Sequence, residues 1–153
     1  MPPTATIETL TLEAAKAVGE ACEAKARAIG LVMNIAVVDT TLHLLHFSRM
    51  DGAKLTSIDI AINKAFTAAG HRAGTHIYKE AVWPGGPAFG INHSNGGKFM
   101  TVGGGLPILN KSGQVLGAVG CSTGTPAQDQ EVAQAGVDAV QRLIHEQGLR
   151  AKL

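Results

Sequence analysis

No run of Lys or Arg occurs anywhere in the chain, and 13 basic against 12 acidic side chains leave a formal net charge of +1. A phosphate backbone needs a basic footprint, so nucleic acid is excluded as a partner. No apolar run is long enough to cross a bilayer, and the N-terminus lacks a basic segment followed by a hydrophobic one. The chain is therefore expected to have no membrane partner and to stay inside the cell, in the cytoplasm. Cysteine is nearly absent: Cys22 and Cys121 lie far apart in sequence, without CxxC or metal-type spacing, and are expected to be reduced, mostly buried thiols. Charged residues make up only 16% of the chain against 45% hydrophobic, which argues against disorder and for apolar surface left over, hence a homo-oligomer.

Glycine, by contrast, is abundant. Of the 19 glycines, 12 cluster between Gly85 and Gly124, as a shaped region would require. With 153 residues, one core and one domain spanning residues 1–153 are expected. The chain ends Ala151-Lys152-Leu153, a small-for-small swap away from the S-K-L address, which in a eukaryote would direct it to the peroxisome.

Apolar residues at Leu12, Ala15, Val18, Cys22, Ala26 and Ile29 recur at spacings of three and four after a capping Thr11, predicting a helix that stops at Gly30. Met33–Val38 and Leu42–Arg49 read as an antiparallel hairpin across Asp39-Thr40-Thr41. A second helix is predicted from Ser57 to about Arg72, a short one from Thr75 to Val82, and a loop from Trp83 to Gly97. Three strands follow, Lys98–Val102, Leu106–Asn110 and Gln114–Ser122, forming a meander. Thr125-Pro126-Ala127-Gln128 combines an N-cap, a proline at the first helical position and a capping-box glutamine, and the helix it starts is expected to end at Gly148. The fold class is thus α+β: a five-stranded, mostly antiparallel sheet flanked by helices, with no βαβ alternation.

Lys64, Thr67 and His71 fall on one stripe of the second helix and can converge on one ligand. His43 and His46 point to opposite faces of a strand, and His145 suits the dipole of the last helix turn. His93 sits in the glycine-rich loop Ile91–Gly97, which is able to fold over a pocket. Gly96-Gly97-Lys98 lacks the first glycine and the Ser/Thr of a phosphate loop, and Gly103-Gly104-Gly105 leads into a strand rather than a helix, so no nucleotide cofactor is expected. The triplet permits either close approach of a flat ligand or a sharp bend between strands.

Ala36-Val37-Val38-Asp39, Arg49-Met50-Asp51-Gly52-Ala53, Lys64-Ala65-Phe66-Thr67-Ala68, Gly103-Gly104-Gly105-Leu106-Pro107-Ile108 and Gly117-Ala118-Val119-Gly120 stand in the order found in the GlcG/HbpS family. Over residues 10 to 147 the chain resembles these haem-binding, haem-degrading-type proteins, a resemblance that extends to the C-terminal domain of PduO-type adenosyltransferases. It implies a profilin-like sheet, closed homo-oligomers and haem as the cofactor. In that reading His71, with His93 as rival, ligates iron, Arg49 or Lys64 meets the propionates, and Thr67, Gly103, Gly104 and Gly105 line the site. A second reading is a cofactor-independent hydrolase or isomerase of a small enamine, imine or keto acid. There Lys64 and Arg49 hold a carboxylate, His71 or Asp51 moves protons, and glycine backbone donates to an oxyanion. A third makes the chain a partner subunit without chemistry.

Overall fold

The computed structural model describes residues 1–152. Leu153, the last residue of the expected peroxisomal tripeptide, lies outside them. Thr11 caps α1 (Leu12–Ala28), its hydroxyl accepting from Ala14 N at 3.1 Å, and Gly30 at φ +75° turns the chain out of the helix. β1 (Asn34–Asp39) and β2 (Leu44–Arg49) form the expected hairpin, with Asn34 opposite Arg49. α2 spans Ser57–His71 and ends with Arg72 in the left-handed region, its N–H donating to the Ala68 carbonyl. After three short 3-10 turns (Thr75–Ile77, Lys79–Val82 and Ile91–His93) and a single helical turn at Ser94–Gly97 come β3 (Gly105–Leu109), β4 (Val115–Ser122) and the long α3 (Pro126–Arg150). The capping box forms as predicted: Thr125 Oγ1 accepts from Gln128 N, and Gln128 Oε1 accepts from Thr125 N. α3 does not stop at Gly148 but runs on to Arg150.

The sheet has four strands, not five, in the order β2-β1-β4-β3, every neighbouring pair antiparallel. The expected strand Lys98–Val102 is a strap laid along α2. Side-chain hydroxyls take the bonds a ladder would have supplied. Thr67 Oγ1 accepts from Met100 N at 2.8 Å, and Thr75 Oγ1 donates to the Val102 carbonyl at 2.6 Å while accepting from Gly105 N at 2.9 Å. With Met100 N and the Lys98 and Val102 carbonyls bonded to hydroxyls of α2 and the turn after it, the segment is held off the sheet edge. The meander is accordingly a two-strand hairpin, β3–β4, whose second strand pairs with β1.

Alternation of side chains along each strand divides the core in two. Ile35, Val37, Val119 and Cys121 face α1 and α3, where Val18, Cys22, Val132 and Val140 meet them. Both thiols are free and buried here; burial pushes the Cys121 thiol well above its usual range, and the neighbouring Cys22 sulfur adds to the effect. On the other face Ala36, Val38 and Ala118 meet Ala61, Ala65, Ala68 and Ala69 of α2. Small residues on both sides let α2 lie almost backbone to backbone on the sheet. Gly120 is the tightest point, where an added methyl would overlap the Ala61 carbonyl oxygen.

Candidate functional site

The polar stripe of α2 does not face solvent as a unit. Lys64 is 1% exposed; its Nζ donates to Asp129 Oδ2 at 2.8 Å and to the Cys121 carbonyl at 3.0 Å. Asp129, in the first turn of α3, is itself buried and accepts from Gly124 N through Oδ1. Lys64 is therefore a structural tie between α2, β4 and α3, unable in this geometry to reach a substrate carboxylate or a propionate. The Gly103–Gly105 triplet is buried above that tie. Gly104, at φ +122°, would place a methyl 2.7 Å from Asp129 Cβ and 2.8 Å from Lys64 Nζ. The bend reading of the triplet thus has a concrete cause: backbone must pass closely over a buried ion pair. Thr67 is buried and committed to the strap, its hydroxyl also donating to the Asn63 carbonyl at 2.8 Å.

His71 is the member of the stripe that stays open. It ends α2 in an exposed position, with its ring edge-on to Phe99 at 5.2 Å between centroids and tilted against Tyr78 at 5.9 Å. Tyr78 and Phe99 are themselves packed edge to face at 5.4 Å. The Tyr78 hydroxyl is buried without a hydrogen-bond partner, and burial holds its phenol above the ordinary range. Each ring adjoins an exposed cation in the chain: Arg72 follows His71, Lys79 follows Tyr78 and Lys98 precedes Phe99. Lys98 is turned aside, its ammonium 5.5 Å over the Phe66 ring.

The other expected residues do not gather at this cluster. Arg49 lies across from Asn34, whose amide donates to the Lys54 carbonyl at 2.8 Å, and Asp51 is exposed in the adjoining turn with Gly52. That places both beside the start of α2, about 20 Å of helix from His71. The constellation of Lys64, Arg49, His71 and Asp51 needed for hydrolysis or isomerisation is thus not assembled. His93 is exposed in a 3-10 turn of the glycine-rich excursion. His43 is hydrogen-bonded to the Thr41 hydroxyl, and His46 packs over Gly19 of α1. Among the described residues no group of three or more His, Cys, Asp or Glu is placed to hold a metal ion.

Tyr78, Phe99 and Asp129 were not singled out by the sequence reading. A signal existed for the first two: four of the six aromatic residues, Tyr78, Trp83, Phe89 and Phe99, fall between α2 and β3. Scarcity counted over the whole chain concealed local concentration.

A single antiparallel sheet between two helical layers, with one histidine held open beside two aromatic rings, defines a small α+β domain whose candidate site offers one imidazole. The chain belongs to the family described as haem degrading protein HbpS-like, whose model matches residues 10–138. An uncharacterized 15.0 kDa protein in the dhaT-dhaS intergenic region of Citrobacter freundii is 43% identical over 137 residues, covering 90% of this chain and 96% of that protein. The crystal structure of Klebsiella pneumoniae protein ORFY is similar with a TM-score of 0.89 at 39% identity, over 92% of this chain and 97% of that one. A crystal structure of a PduOC:haem complex reaches a TM-score of 0.80 at 29% identity, over 86% of this chain and 94% of that one. Among the described residues no helix is long and apolar enough to cross a membrane.

Proposed function

We propose that this protein binds haem, with the His71 imidazole as the iron ligand. The observation that carries the reading is the seat of that imidazole: exposed, without a hydrogen-bond partner among the described residues, and packed against Phe99 and Tyr78. The residues present fit the group. A macrocycle of low polarity is met by the edges of two aromatic rings, and the buried Tyr78 hydroxyl beside them is a polar group still without a partner. Two propionates would find Arg72 and Lys79, exposed cations that form no ion pair among the described residues, in place of Arg49 and Lys64. The solved haem complex of PduOC, a member of the same fold, supports the assignment. Bound haem would supply a redox-active iron, and the chain's part is to present one neutral imidazole and exclude water with Phe99 and Tyr78.

Titration of the purified protein with haemin should produce a saturable Soret band. His71→Ala should abolish or shift it, while His145→Ala, at the far end of α3, leaves it unchanged. A spectrum and affinity unaltered in His71→Ala remove His71 as the ligand, and loss in His93→Ala instead transfers the role to the loop.

We further propose that the protein works as a homo-oligomer. Trp83, Phe89, Leu44, Leu55 and Leu12 are each about half exposed or more, an apolar surface that a monomer of low charge would leave in water. Light scattering should give a mass several times the 15.8 kDa of the chain and insensitive to salt; a monomeric mass removes the assignment.

A further inference from the structure

A second concavity adjoins Lys98 and shares no lining residue with the cluster of His71, Tyr78 and Phe99. It is a pocket of about 230 Å³ between the β1–β2 hairpin and the outer face of α2. Val38 forms its floor, and Leu42, Ile62 and Phe66 its walls. At its rim stand the Lys98 ammonium, over the Phe66 ring, and the Asn63 side chain; His43 and Thr41 close the hairpin side. No Asp or Glu lines it, the Asp39 carboxylate being taken up by Thr41 and His43, and among the described residues Lys98 makes no salt bridge. Leu42 reaches the wall at φ +72°, a left-handed conformation that costs a leucine roughly 1–2 kcal/mol.

We infer that this pocket binds a small monocarboxylate with a compact apolar body, of about the size of benzoate or a branched short-chain acid. The walls bury hydrocarbon, and the single ammonium sets the charge of what sits against it. Covering Lys98 with a neutral molecule would strip water from the ammonium without compensation, whereas a carboxylate restores a charge-assisted hydrogen bond. A doubly charged phosphate would find only one cation and no cradle of backbone N–H groups. Asn63 offers an amide donor for the second carboxylate oxygen. The inference does not depend on haem binding, since the pocket shares no residue with the His71 cluster and the Lys98 ammonium sits over Phe66.

The test is an amide NMR titration of the full chain with benzoate, using benzamide as the neutral twin. Saturable shifts should appear at Val38, Leu42, Ile62, Phe66 and Lys98, with benzamide binding at least ten-fold more weakly. Lys98→Met keeps the aliphatic stem over Phe66 and removes the charge; it should weaken benzoate at least ten-fold while leaving the thermal midpoint and the haemin spectrum unchanged. Equal affinity for benzamide, undiminished binding by Lys98→Met, shifts centred elsewhere, or no saturable shift at millimolar benzoate would each overturn the assignment.

Discussion

Lys64→Met is expected to lower the unfolding free energy by about 3–5 kcal/mol, the range for breaking one side of a buried ion pair. The side chains of Lys64 and Asp129 are 1% and 3% exposed, and their contact is 2.8 Å. Methionine preserves most of the volume of the lysine stem, so packing loss is minor and the cost comes from the carboxylate left behind. Asp129 would retain the Gly124 N–H as its donor and face a neutral thioether where an ammonium had been. The Cys121 carbonyl loses its side-chain donor as well. The double variant Lys64→Met with Asp129→Leu removes both charges and should recover much of the loss, because the pair's own desolvation cost disappears with it. Denaturant midpoints of wild type, both single variants and the double form the cycle. A Lys64→Met protein as stable as wild type would contradict the buried tie and return Lys64 to the candidates for ligand binding.

Gly120→Val is expected to destabilise at or above the upper end of the roughly 1–3 kcal/mol typical of overpacked cores. A side chain here meets the Ala61 carbonyl and the Ala65 amide nitrogen, which are backbone atoms of α2, so no rotamer change can relieve the overlap. The helix itself must lift from the sheet, opening contacts of Ala36, Val38 and Ala118 with it. Gly120→Ala should show the same defect in smaller measure. Gly148→Ala is the control: its methyl would approach only the tip of Lys111, which can swing aside, and alanine gains up to about 1 kcal/mol in helix propensity. For a chain of this size each kcal/mol moves the thermal midpoint by roughly 2–4 °C, so the two substitutions separate clearly in a melting experiment. A Gly120→Val midpoint equal to that of wild type would refute the close seating of α2.

Much of this architecture was legible because it is locally encoded. The caps at Thr11 and Thr125, the periodicity of α1 and the Asp39-Thr40-Thr41 break between two apolar runs are all determined within a few residues of where they act. The strap at Lys98–Val102 was not legible. Its β-favouring Phe99, Thr101 and Val102 suit a strand, and what kept it out of the sheet was two threonine hydroxyls, one of them more than thirty residues earlier. Lys64 misled for the same reason. A lysine on a polar stripe reads as solvated or ligand-facing until Asp129, 65 residues later in the chain, is known to lie beneath it. His71 remained a candidate on both readings because its position at the end of a helix needs no distant partner. The rings that orient it, Tyr78 and Phe99, come from the irregular segment between α2 and β3, where periodicity carries no information.

The division of the core has a chemical consequence for the cell that makes this protein. Both sulfhydryls lie between the sheet and the α1–α3 layer, whereas His71 belongs to the helix on the opposite side. If iron is held at His71, the sheet acts as insulation: a closed wall of backbone and alanine separates the metal from the most readily oxidised atoms of the interior. Peroxide generated at such a metal would reach a thiol only through an opening of the packing around it. With haem bound as proposed, the arrangement would keep the two free thiols apart from the iron.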